Sequence, residues 1–314
     1  MKRTAFLFPG QGSQFSGMGK DFYNNYEVSK RVFDTADLVL GRKISSICFE
    51  GSEEELKQTT NTQPAIVTTS IAILEALKVH GIRADYTAGH SLGEYCAMYT
   101  AGVMSLEDTI RAIQKRAELM GSVQGGAMAA VLNASEEQLQ TGLEEGRKSG
   151  YVDIANYNSP VQVVITGDEN AVKKAGEYML ANGVKRVVPL PVSGAFHSQY
   201  MEEAGSKFDK FLDDLNINDA KIPVITNVDA ESTVSANDFR IKMPKQIYSS
   251  VHWTQTIQKM VEEGVDTFIE IGPGKVLAGL NKKIAPGTAV YSISDIETLK
   301  NTIDVLEANL TEIK

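Results

Sequence analysis

The string Gly89-His90-Ser91-Leu92-Gly93 sets a serine hydroxyl between two glycines in a G-x-S-x-G pattern. That pattern carries chemistry when it joins a strand to a helix, because the sharp turn lifts the hydroxyl clear of the sheet as a nucleophile. Residues 86–88 read as a short strand here, and an apolar, helix-like run follows to Ala101. Gly89 and Gly93 remove Cβ atoms that so tight a turn has no room for. The Leu92 amide, at the start of the helix, can face a developing oxyanion. The competing reading is a glycine-rich turn with a capping serine. A serine nucleophile needs a base, usually histidine. His197, in Ser193-Gly194-Ala195-Phe196-His197-Ser198, follows a strand directly, and strand-end loops are where reactive groups sit in open α/β sheets. His80 near a helix end, His90 inside the turn and His252 before Trp253 read as structural. Arg116, in a charged helical stretch, reads by itself as a solvated face residue.

Periodicity and punctuation give the elements that must hold these groups. Residues 4–8 form an apolar strand stopped by Pro9-Gly10-Gln11-Gly12. Helical spacing covers residues 27–40 and 64–79, with Pro64 suited to a first turn, and Ser105-Leu106-Glu107-Asp108 opens another helix. From about Gly126 the pattern changes. Strand 127–132 leads to a helix capped by Ser135-Glu136-Glu137-Gln138 and ending near Arg147. Strands 152–155 and 161–166 flank a turn at Asn158-Ser159-Pro160; helix 169–181 and strand 184–190 follow. That order is a split βαβ, ferredoxin-like unit. Strands at 223–227, 267–272 and 289–292 resume the larger chain, and Ser294-Asp295-Ile296-Glu297 caps the last helix. The expected fold is α/β: a large α/β-hydrolase-like domain with a parallel sheet (1–125 and 191–314), carrying an inserted ferredoxin-like α+β subdomain (126–190).

Composition narrows the function classes. The 314 residues suit about two domains and a sizeable core without staples. Hydrophobic residues at 42% and charged residues at 23% exclude a disordered, collagenous or coiled-coil chain. No run of about 20 apolar residues suggests a membrane span. Met1-Lys2-Arg3 leads straight into a strand, so no signal peptide is expected, and the chain reads as soluble and cytoplasmic. A net charge of −9 argues against a broadly basic nucleic-acid surface. Two cysteines, Cys48 and Cys96, exclude a disulfide framework, and four histidines without a metal-binding spacing argue against zinc. Gly10-Gln11-Gly12 lacks the third glycine of a dinucleotide fingerprint, since Phe15 stands there. Gly272-Pro273-Gly274-Lys275 lacks the spacing of a P-loop.

Taken together the strings resemble the malonyl-CoA:acyl carrier protein transacylase family along nearly the whole chain. They are Phe8-Pro9-Gly10-Gln11-Gly12-Ser13-Gln14, Gln63-Pro64-Ala65, Gly89 to Tyr95, Arg116 with Met120, Asn156 to Pro160, Phe196-His197 and Gly272 to Leu277. The resemblance implies that Ser91 is acylated by the malonyl group, with His197 as general base and later acid. It implies an oxyanion hole from the amides of Gln11 and Leu92, and Arg116 as a fork for the free carboxylate. A main-chain carbonyl matched to Gln246 would orient the histidine, giving a dyad. Gln63 and Phe196 would line the substrate site; a ring at Phe196 disfavours a 2-methyl branch, worth about 1–3 kcal/mol. Val161 after Pro160, where glycine is common, and His252, where glutamine is common, depart from the family pattern.

The implied reaction is ping-pong transfer of malonyl from malonyl-CoA to the phosphopantetheine thiol of acyl carrier protein, supplying extender units for fatty acid biosynthesis. No cofactor and no metal are implied. The implied partners are malonyl-CoA or coenzyme A and acyl carrier protein, with no nucleic acid and no membrane, and the chain is expected to be a monomer. Carrier proteins of that pathway are acidic, so docking calls for a local basic surface, for which Lys275, Lys282 and Lys283 are candidates. Two rivals remain: a serine esterase or thioesterase, which usually needs a carboxylate behind its histidine, and a non-catalytic module that binds carrier protein.

Overall fold

The computed structural model describes residues 3–192 and 194–311; Met1 and Lys2 of the opening string and Ser193 of the histidine string lie outside the described residues. Its strands in chain order are β1 (Arg3–Phe8), β2 (Tyr86–Gly89), β3 (Ala127–Leu132), β4 (Val152–Ser159), β5 (Gln162–Gly167), β6 (Arg186–Pro189), β7 (Val224–Ile225), β8 (Ser232–Thr233), β9 (Val265–Ile271) and β10 (Ala289–Ile293).

These strands make two sheets. The larger has the order β10-β9-β1-β2-β7-β8. Every pairing in it is parallel except that of the edge strand β8, which runs antiparallel to β7. Side chains alternate across β1, so Phe6 and Phe8 enter one apolar cluster while Ala5 and Leu7 enter another. A strand buried on both faces reads as a continuous apolar run, as Ala5-Phe6-Leu7-Phe8 does. The smaller sheet, β4-β5-β3-β6, is wholly antiparallel. On one side Ala129, Val131, Ile154 and Ile165 pack with Leu143 and Met179 of the helices Glu136–Arg147 and Glu169–Ala181. On the other, Met128, Ala130 and Val164 join the main core, so the small sheet is welded to the large one by period-two alternation.

Three local expectations are corrected. Pro64 is not in a first turn: its helix runs Thr59–Val79, so the proline sits inside it. A proline there deprives the carbonyl four residues earlier of its partner. Arg42 supplies the replacement, its Nη2 donating to the Thr60 carbonyl at 2.8 Å. Asn158 and Ser159 belong to β4, and the turn falls at Pro160-Val161. The strand expected at 223–227 is reduced to Val224–Ile225, which releases Thr226 and Asn227 to a loop. Among the described residues no helix is long and apolar enough to cross a membrane.

Candidate active site

Gly89, the last residue of β2, leads through the single 3₁₀ turn Ser91–Gly93 into the helix Glu94–Thr100. The glycines are required by close approach. A Cβ on Gly89 would lie 1.9 Å from the Gly93 carbonyl carbon, and one on Gly93 would lie 2.3 Å from the Phe8 carbonyl oxygen. Between them Ser91 takes φ 51°, the left-handed region that disfavours residues with a side chain. Such strain persists only where surrounding bonds hold it, and it clusters at functional sites.

Ser91 Oγ lies 2.8 Å from His197 Nε2. The histidine, also at a positive φ of 54°, follows β6. Its loop is anchored to the small sheet by Thr166 Oγ1, which donates to the Phe196 carbonyl at 2.9 Å. His197 Nδ1 faces two carbonyls, Gln246 O at 3.0 Å and Ser249 O at 3.1 Å. Carbonyls only accept, so Nδ1 carries the proton and Nε2 is free to receive one from the Ser91 hydroxyl. Burial first, then the Arg116 charge and His90, push the imidazole down to about 3, against a weaker upward pull from the two carbonyls. The ring is therefore a neutral base at ordinary pH.

Arg116, from the helix Leu106–Gly121, is 1% exposed and is not a solvated face residue. Its Nη2 donates to Ser91 Oγ at 3.0 Å and to Gln246 Oε1 at 3.0 Å, Nε reaches the same Gln246 oxygen at 3.3 Å, and Nη1 donates to Gln63 Oε1 at 2.7 Å. The guanidinium packs 5.7 Å from the Tyr95 ring centroid. Its fork is held by the side-chain amides of Gln63 and Gln246 and by the Ser91 hydroxyl, all neutral acceptors, whereas a carboxylate offers stronger charge-assisted bidentate bonds. Gln11, Gln63, Leu92, Met120 and Phe196 line a cavity of about 110 Å³ with Ser91, Arg116 and His197. The amides of Gln11 and Leu92 have no acceptor among the described residues.

The structure thus gathers Ser91, His197, Arg116, Gln63, Gln246, Gln11, Leu92 and Phe196 in one place. His90 bonds Asn158 Oδ1 at 2.8 Å, packs on Trp253 and also lines the cavity, and His252 stacks on Tyr157. Three participants escaped the sequence reading. Ser249 supplies the second carbonyl to His197. Asn227 reaches the Ser91 amide, and Glu94 accepts from the Asn227 amide at 2.6 Å. Burial raises the Glu94 carboxyl to about 7, although that amide and Arg116 pull it back. No local signal marks Asn227 or Ser249; each is brought in by a loop distant in sequence. Among the described residues no cluster of His, Cys, Asp or Glu could hold a metal ion.

Comparison with known proteins bears on this geometry. The family model described as acyl transferase domain matches residues 5–294. The malonyl CoA-acyl carrier protein transacylase of Bacillus subtilis (strain 168) is 47% identical over 311 residues, 98% of each chain. The crystal structure of malonyl CoA-acyl carrier protein transacylase from Clostridium perfringens superposes with a TM-score of 0.95 at 38% identity, covering 99% of this chain and 100% of that one. A malonyl-transacylase in complex with its type II PKS acyl-carrier protein superposes with a TM-score of 0.93 at 36% identity, covering 96% and 99%.

Proposed function

Because the chain belongs to the malonyl-CoA:acyl carrier protein transacylases within the acyl transferase family, we propose that it carries the malonyl group between the two thiols as an ester on Ser91. The observation that carries this reading is the placement of Ser91 Oγ between His197 Nε2 and Arg116 Nη2 at the cavity.

In the first half-reaction Ser91 Oγ attacks the thioester carbonyl carbon and its proton passes to His197 Nε2. The oxyanion is met by the amides of Gln11 and Leu92. The C–S bond then breaks and coenzyme A leaves with the proton from His197. In the second, the phosphopantetheine thiol gives its proton to His197, its sulfur attacks the malonyl ester, and Ser91 Oγ leaves and recovers the proton. Splitting the transfer this way makes two similar steps from one. Arg116 holds the malonyl carboxylate, with Gln63 and Phe196 bounding the acyl site, and Gln246 orients the histidine through its carbonyl. The chemistry asks for no cofactor and no metal.

Residues 126–190 act in this reading as a subdomain that positions the histidine loop against the remainder, 1–125 and 191–314. The reading takes the chain as a cytoplasmic monomer that feeds extender units to fatty acid biosynthesis. The serine esterase reading is disfavoured because carbonyls stand where its carboxylate would be. Mass spectrometry after mixing with malonyl-CoA tests the proposal: the native chain gains one malonyl group and Ser91→Ala gains none. His197→Ala should slow acylation by about 10²–10⁴-fold. A normal adduct on Ser91→Ala would overturn it.

A further inference from the structure

We propose that Asn227 is a positioning residue for acylation, clamping the serine turn and linking it to the residue that orients the histidine. The proposal rests on Ser91 being the nucleophile. Asn227 lies just past β7 and is fully buried. Its Nδ2 donates to the Gly89 carbonyl at 2.8 Å, and its Oδ1 accepts from the Ser91 amide at 2.8 Å. One carboxamide therefore spans the turn on both sides of His90, which takes a donor and an acceptor side by side. The Asn227 amide donates to Glu94 Oε2, tying the same residue to the first turn of the following helix.

The link to the base runs through Gln246. Its Nε2 donates to the Ser91 carbonyl at 2.7 Å and to Asn227 Oδ1 at 3.2 Å, while its own main-chain carbonyl accepts from His197. Both main-chain polar groups of the serine are thus occupied, which is what holds its φ of 51°. A shift of the Asn227 side chain changes the direction of Ser91 Oγ relative to His197 Nε2, and with it the Leu92 amide one residue on. Small errors in such alignment cost rate far more than binding.

Asn227→Asp separates positioning from packing, because it keeps the shape and makes the Gly89 bond titratable. Ionised, the introduced carboxylate cannot donate to Gly89 O and stands beside Glu94; protonated, it regains the donor. Burial and Glu94 lift that carboxyl well above an ordinary aspartate's ~3.9. The charged groups that act on Glu94 are Arg116, Asp229 and Lys242, and His197 lies beyond Gln246. The experiment measures single-turnover acylation by malonyl-CoA from pH 5.5 to 8.5, with thermal midpoints, for the native chain, Asn227→Asp, Asn227→Ala and Ser91→Ala. At pH 8 the Asn227→Asp rate should fall about 10²-fold with KM changed less than about threefold. Relative to the native chain it should recover about tenfold towards pH 5.5, whereas Asn227→Ala stays low throughout. The proposal is overturned if Asn227→Asp follows the native profile, if it matches Asn227→Ala at every pH, or if neither variant folds. If Ser91→Ala still takes up malonyl, the nucleophile assignment itself has failed; a silent Ser91→Ala beside native-like Asn227 variants refutes positioning alone.

Discussion

Arg116 joins two tasks that are usually separate, since the same guanidinium that faces the acyl site also donates to the nucleophile. Leaving a malonyl carboxylate buried without its partner costs roughly 3–5 kcal/mol, so Arg116→Ala should lower kcat/KM for malonyl-CoA by about 10²–10³-fold or more. Acetyl-CoA has no carboxylate to strand and should lose only the smaller share that comes from Ser91 and Gln246. Arg116→Lys keeps charge without the planar fork and should recover part of the malonyl rate. The quantity to measure is the malonyl-to-acetyl ratio of kcat/KM; an unchanged ratio would remove Arg116 from the acyl site. His197 permits a second residue-level prediction. A base whose pKa is lowered stays unprotonated to lower pH, so acylation kcat/KM should remain level as the pH falls through 6.5. A drop centred near 6.5 would contradict the environment described. Stability carries the same sign: the unfolded chain takes up a proton at this histidine below about 6.5 and the folded chain does not. Its contribution is therefore complete above that pH and is lost towards 3.

The serine turn shows how an element can be legible for one reason and built for another. Gly93 suggests conformational freedom, yet its φ is −63°, which any residue adopts. The need for glycine is the Phe8 carbonyl of β1 lying against it. Gly93→Ala should then force β1 from the turn and destabilise the fold by about 1–3 kcal/mol or more, read from denaturant midpoints. A native midpoint would show that the approach has slack. The strand-turn-helix could be seen in sequence because its signal is local. The start of the helix Thr59–Val79 could not: Thr59-Thr60-Asn61-Thr62-Gln63 has weak helix preference, and the burial of Thr62 and Gln63 with the Arg42 contact overrides it. Likewise β7 stops early because Asn227 is taken by the serine turn, 136 positions away in the chain. Ser91, His197 and Arg116 were visible as residue types within recognisable strings. Their mutual contacts, and the carbonyl of Ser249, exist only after folding.

At the scale of the molecule, charge is distributed unevenly. The chain carries −9 overall, yet Lys275, Lys282 and Lys283 are exposed along one short helix, Val276–Ile284, and the residue before it. Gly274, adjoining Lys275, approaches Ser13 in the loop that also carries Gln11, which puts this basic helix near the acyl cavity. Reversing these charges should weaken transfer to an acidic carrier protein by about tenfold or more while leaving acylation by malonyl-CoA intact. Equal loss in both half-reactions, or in neither, would exclude the surface. Inside the cavity the pattern inverts, for Arg116 is the one permanently charged side chain among its lining residues. Among the described residues no carboxylate lies within ion-pair distance of its guanidinium, and buried Glu94 acts on it only from further off, so Arg116 has no direct counterion. In the proposed reaction the acyl group brings it, and the loaded serine becomes the charge-balanced form of the centre. An intermediate so balanced keeps its carboxylate paired until the second thiol arrives, which is a property a relay between two carriers requires.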